Sequence, residues 1–111
     1  MQHIVGGVIV VNTETIAGKV ITKNLGVVGG STVRAKNLGR DIFAGLKNIV
    51  GGELTAYTEL LDESRNQAIA RMIADATARG ANAVINVRFA TSAVTAGASE
   101  LFAYGTAVVV E

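Results

Sequence analysis

Cysteine and tryptophan are absent from these 111 residues, and histidine occurs once, at His3. Without cysteine there is no disulfide, no thiolate nucleophile and no sulfur ligand. A lone histidine next to the N-terminus supports neither a Ser-His-Asp nor a Cys-His arrangement, so His3 reads as a tail or edge residue. Charge of one sign is lacking too: ten Lys and Arg stand against nine Asp and Glu, for a formal net charge of +1. No global field recruits nucleic acid, and no aromatic residues are interleaved with the basic ones. No apolar run approaches the roughly 20 residues of a membrane-spanning helix, and the N-terminus lacks the basic segment and long apolar core of a signal peptide. A cytoplasmic chain without a membrane partner is the expectation. The sequence therefore names no reaction.

What is present is close-packing material. Half of the residues are hydrophobic, yet only three Phe and two Tyr are among them, so Ala, Val, Ile and Leu carry the apolar content. One domain over residues 1–111 is expected, with 1–7 a disordered or edge segment, burying roughly 60 to 65% of its unfolded surface. Strands are predicted near Val8–Thr13 and Val20–Val33, helices near Ala35–Val50 and Leu54–Arg79, and strands near Ala83–Ser92 and Ser99–Val110. That order is ββααββ, an α+β class with an antiparallel sheet packed on two helices.

In the first helix Leu38, Ile42, Phe43, Leu46, Ile49 and Val50 recur at helical spacing, and Gly51-Gly52 ends it. In the second, Tyr57, Leu60, Leu61, Ala68, Met72, Ile73 and Ala76 form the apolar face. Its acids Glu53, Glu59, Asp62 and Glu63 gather at the start, with Arg71 and Arg79 toward the end, as the helix dipole favours. Ile85, Val87 and Phe89 alternate with Asn86 and Arg88. The last strand is apolar on both faces, and a domain this small has no further element to cover the second one, so another copy of the chain is the expected cover.

Motifs for chemistry are few. Gly26-Val27-Val28-Gly29-Gly30-Ser31-Thr32 lacks the spacing of a phosphate-binding loop and the third glycine of a dinucleotide fingerprint. Glycines inside a strand instead allow bends and close backbone approach. Lys19, Lys23, Arg34, Lys36, Arg40 and Lys47 face Asp41 alone over one stretch, which reads first as a solvated rim and second as a patch for an anionic partner. Arg88 and Glu100 lie on consecutive strands and are expected to pair across the hairpin. With Arg34, Asn86 and Tyr104 they would form a polar cluster able to line a cavity between subunits and hold a small anion, or else an ion-pair network that fixes packing. Glu53 is a candidate ligand residue and, more simply, a helix cap.

The collinear pieces Leu25-Gly26-Val27-Val28-Gly29-Gly30-Ser31-Thr32-Val33-Arg34, Gly39-Arg40-Asp41-Ile42, Asn48-Ile49-Val50-Gly51-Gly52-Glu53-Leu54, Gly80-Ala81-Asn82-Ala83-Val84-Ile85-Asn86-Val87-Arg88-Phe89 and Ala103-Tyr104-Gly105-Thr106-Ala107-Val108 resemble the YbjQ-like family. Ala17 and Ala96 stand before glycines where that family usually carries proline, though Gly18 and Gly97 still permit the turn. The resemblance implies a dodecin-like subunit, assembled as a ring-shaped pentamer, and a heavy-metal-binding label. The composition goes against that label, because soft metals prefer Cys and His. No metal site, no cofactor and no catalytic residue is expected. A non-enzymatic homo-oligomer holding a small ligand or ion at subunit contacts leads, ahead of a small enzyme using carboxylate and arginine chemistry and of a purely structural ring.

Overall fold

The computed structural model describes residues 3–34, 54–95 and 98–111. Its elements are β1 (His3–Val5), β2 (Val8–Val10), β3 (Ile21–Arg34), α1 (Leu54–Ala78), β4 (Ala83–Thr95) and β5 (Ala98–Val110). The class is α+β: one five-stranded sheet, ordered β1-β2-β4-β5-β3, carries α1 on one face. The predicted first helix, the Gly51-Gly52 break and Glu53 lie outside the described residues, as do Lys36, Arg40 and Lys47. The described part of the order therefore has one helix rather than two. The sheet is mixed, not purely antiparallel, because β2 runs parallel to β4 through Ile9↔Ala83 and Val10↔Val84. His3 belongs to an edge strand paired with β2.

α1 packs through a narrow line of mostly small residues. Ser64, Ala68, Met72 and Ala76 recur at every fourth position and are all buried, flanked by Ile73 and the half-buried Ile69. Leu61, assigned to this face by its spacing, is 38% exposed. The narrow line lets the helix backbone approach β3 at Gly30. A β-carbon there would fall 2.5 Å from the Ala68 carbonyl oxygen and 2.6 Å from Arg71 Cβ. The glycine pair thus serves close approach of a helix, not a phosphate.

Among the described residues β3 is an edge of the sheet, and α1 reaches over it. The Arg71 guanidinium donates to the Ser31 carbonyl, Gly29 N donates to Asp75 Oδ2 at 3.4 Å, and Arg79 Nη1 donates to the Leu25 carbonyl at 3.2 Å. Arg79 also pairs with Asp75 at 3.3 Å. These side chains occupy strand groups that would otherwise offer themselves to another strand, one of the ways an edge is protected.

Two apolar clusters divide the sheet by face. On the inner face, toward α1, Val8, Val10, Val28, Val84, Val87, Ala103 and Ala107 pack with Ala68, Met72, Ile73 and Ala76. On the outer face, Ala83, Ile85, Val108 and Val110 pack with Val11 and Ile16. Residues 11–20 therefore cover one end of the outer face, correcting the expectation that the chain had nothing to lay over it. Ile85 and Val87, expected on one face, stand on opposite ones. The cause is Asn86, whose φ of 53° is left-handed; the register jumps there from Ile85↔Thr106 to Arg88↔Tyr104, setting two residues of β4 against Gly105. This is a β-bulge, and it reverses the alternation beyond it.

Candidate functional site

The rest of the outer face has no described element over it. Register places Arg88, Ala90 and Ser92 of β4 beside Tyr104, Phe102 and Glu100 of β5, and these beside Gly29, Ser31 and Val33 of β3. The Phe102 and Tyr104 rings stack at 5.4 Å between centroids. Phe102 lies over Gly29, where a β-carbon would collide with the ring. Around them Val27 is 67% and Val33 55% exposed. Small neighbours and a stacked aromatic pair give a flat, mostly apolar platform with charge at two places, a surface suited to a planar partner or another protein face.

The predicted polar cluster is only partly assembled on it. Tyr104 and Arg88 are direct cross-strand partners. Glu100 shares their face but is paired with Ser92 and Val33, four residues along β5 from Tyr104, about 13 Å at the rise of a strand. The expected Arg88–Glu100 pair is thereby corrected: the β4–β5 register, which slips between Ala93 and Thr95, sets Ser92 opposite Glu100. Arg88 instead donates Nη1 to the carbonyl of Asn12 at 2.7 Å and to that of Val87 at 3.1 Å. It fastens the 11–20 segment at the border of the platform. Asn86 lies outside this group, at the bulge, with its backbone N–H given to the Thr13 carbonyl at 2.9 Å. Arg34 pairs by backbone register with Ser99, its side chain outside the described residues, and Glu53 is outside them altogether.

Phe102 carries no local signal of a site residue, because alternation along β5 marks it only as apolar. Nor does Asn82, whose amide accepts from Val110 N at 2.8 Å and donates to Val110 O at 2.9 Å. That side chain extends the β4–β5 ladder by imitating a strand residue, a pairing that no local pattern signals.

Among the described residues no three His, Cys, Asp or Glu side chains converge on a point that could hold a metal. The donor set of the chain, one histidine and no cysteine, does not fit a soft-metal centre. Among those residues no helix is long and apolar enough to cross a membrane.

Residues 8–111 match a family described as "Putative heavy-metal-binding". The chain is 65% identical over 103 residues to a UPF0145 protein of Hahella chejuensis, covering 93% of this chain and 99% of that one. To a UPF0145 protein of Methanosarcina acetivorans it is 60% identical over 100 residues, 90% and 94% of the two chains. Among solved structures, a protein of unknown function assigned to the DUF74 family, from Pediococcus pentosaceus, is similar with a TM-score of 0.61 and 15% identity over 95% of this chain and 99% of that one, a likeness of fold alone. By the span of the family match and these identities, the chain belongs to the YbjQ-type UPF0145 family.

Proposed function

We propose that this protein is a non-enzymatic homo-oligomer of dodecin-like subunits, a closed pentameric ring in the cytoplasm, that holds a small ligand or anion where subunits meet on the outer face of the sheet. The observation that carries this reading is the unequal cover of that face. One end is sealed by Val11 and Ile16, while the Phe102–Tyr104 platform, with Val27 and Val33 beside it, has none among the described residues. Leaving apolar area of this kind in water is unfavourable by about 25 cal/mol per Å², which burial against a second copy recovers. Such a contact joins the platform to a different surface of the next copy, and heterologous contacts close into rings when the rotation allows. Arg88 and Glu100 bring one cation and one anion to the platform, enough to orient a small polar ligand but too far apart to act together on one bond.

Native mass spectrometry of the protein purified from its own host tests the reading. A closed oligomer with retained small-molecule mass is expected, as is its dissociation on Phe102→Lys. A stable monomer of 11.4 kDa at micromolar concentration would overturn it.

A further inference from the structure

α1 rides on β3 and β5 and touches β4 sparingly, so among the described residues the inner face of the sheet is incompletely roofed on its β2–β4 side. A cleft of about 580 Å³ opens there. Its floor is Val10, Val87 and Phe89, and its helical wall is Ile69 with Asp62, Arg65 and Asn66. Phe89 is 43% exposed although its inner-face neighbours Val87 and Ala103 are buried, so its ring is open to the cleft rather than spent on the core. The cleft lies on the opposite side of the sheet from the Phe102–Tyr104 platform.

We infer that this cleft is a binding site for a small, uncharged, planar heteroaromatic molecule whose edge carries both hydrogen-bond donors and acceptors. The size falls within the roughly 300 to 1,000 Å³ of small-molecule pockets, and an apolar floor with a few convergent polar groups is their usual construction. Phe89 offers an aromatic surface for stacking, and Val10, Val87 and Ile69 enclose the body of a flat ring system. The rim decides the chemistry. Arg65 and Asp62 pair at 3.0 Å, setting a donor beside an acceptor with no net charge. Asn66 and Asn12 also line the cleft, and a carboxamide can both donate and accept. Such a rim matches a lactam or amidine edge and gives no net attraction to a simple phosphate or carboxylate, because Asp62 opposes any anion drawn to Arg65.

The ¹⁵N-labelled full chain is titrated with quinazolin-4-one, a neutral bicyclic lactam, and separately with benzoate, while amide shifts are followed by NMR. Quinazolin-4-one should move the amides of Val10–Asn12, Asp62–Ile69 and Val87–Phe89 with a dissociation constant below about 1 mM, the range of a fragment-sized ligand. Benzoate should bind at least about tenfold more weakly, the loss of one hydrogen-bonding partner. Phe89→Leu and the rim variant Arg65→Gln should each weaken quinazolin-4-one about tenfold with circular dichroism unchanged. If Phe89→Leu unfolds, Arg65→Gln, at an exposed helix position, still decides. Shifts absent from the cleft, or benzoate binding as tightly, would overturn the inference. So would Phe89 amide shifts that depend on protein concentration alone, revealing a second copy in the cleft, or nuclear Overhauser contacts from residues 35–53 to the Phe89 ring. The outer-face reading is tested separately, by whether Phe102→Lys dissociates the oligomer, a substitution on the other side of the sheet from this cleft.

Discussion

Gly105 lies across from Asn86 at the bulge of β4, and a β-carbon on it would stand 2.8 Å from the carbonyl oxygen of Ile85. The Val84 and Val87 side chains crowd the same point, at 2.8 and 3.1 Å, and only glycine leaves room beside the left-handed Asn86. Through this one device Val87, two residues after Ile85, is turned to the inner face while Ile85 stays on the outer.

Gly105→Ala should therefore destabilise the protein by about 1 to 3 kcal/mol, the usual cost of overpacking, with the upper end favoured because a backbone oxygen is in the way. Asn86→Gly should leave stability unchanged within about 1 kcal/mol, whereas Asn86→Val should lose about 1 to 2 kcal/mol by placing a β-branched residue in the left-handed region. Urea unfolding at constant m-value checks all three. An innocuous Asn86→Val would show that the bulge is not needed.

The contact at Gly30 leads to a second expectation. Gly30→Ala would drive α1 away from β3 along its buried line and should cost about 3 kcal/mol, since the Ala68 carbonyl and the helix backbone cannot yield as a flexible side chain can. Met72→Ala, which empties the largest fully buried side chain, should cost about 2 to 5 kcal/mol. Thermal unfolding should order them below wild type, and a Gly30→Ala protein as stable as wild type would refute the close-approach account.

Protection of the β3 edge makes a different kind of prediction, about association more than stability. Arg71 and Arg79 are exposed, so replacing both by Ala should cost no more than about 1 kcal/mol for each. Freed strand groups should nonetheless recruit other strands. Light scattering on heating is expected to rise in the double variant, together with faster hydrogen exchange at residues 25–31. Unchanged scattering and exchange would mean that the helix side chains do not shield the edge.

Arg88 and Glu100, separated along the outer face, should behave as independent residues. A double-mutant cycle of Arg88→Ala and Glu100→Ala is expected to give a coupling below about 0.5 kcal/mol, as for sites without shared partners. Arg88→Ala alone should loosen residues 11–20, visible as faster exchange at Asn86, whose N–H is bonded to Thr13. A coupling of several kcal/mol would restore the buried pair.

Periodicity placed α1 and the long strands to within a few residues, because apolar spacing at two and at four is a local property of the chain. It failed where one residue changes the rule: Asn86 shifts the register of everything beyond it, and nothing in its neighbourhood distinguishes it from a polar residue facing water. The parallel β2–β4 pairing and the cover given by Ile16 are long-range, set by which surfaces remain after α1 has docked. Of the proposed site, Arg88, Tyr104 and Glu100 do share a face, but their spacing along it depends on the hairpin register, which a turn one residue longer would have changed.

The family's heavy-metal description supplies the last prediction, and the donor chemistry of this chain argues against it. Structural zinc takes four ligands, mostly Cys sulfur or His nitrogen, and copper follows the same preference. Here there is one such residue, His3, on an edge strand three residues long. A ring could gather several copies of His3, yet an edge that short offers little to hold imidazoles in a fixed tetrahedron. Glu59 and Glu63, four residues apart on α1, are exposed and would attract hard cations weakly. Isothermal titration of tag-free protein with zinc and with copper(II) should accordingly give no stoichiometric binding tighter than about micromolar, roughly −8 kcal/mol. Tight binding abolished by His3→Ala would place the metal at the β1 edge and overturn this expectation. Tight binding that survives that substitution would require a carboxylate site instead, and the Glu59→Gln and Glu63→Gln pair would locate it.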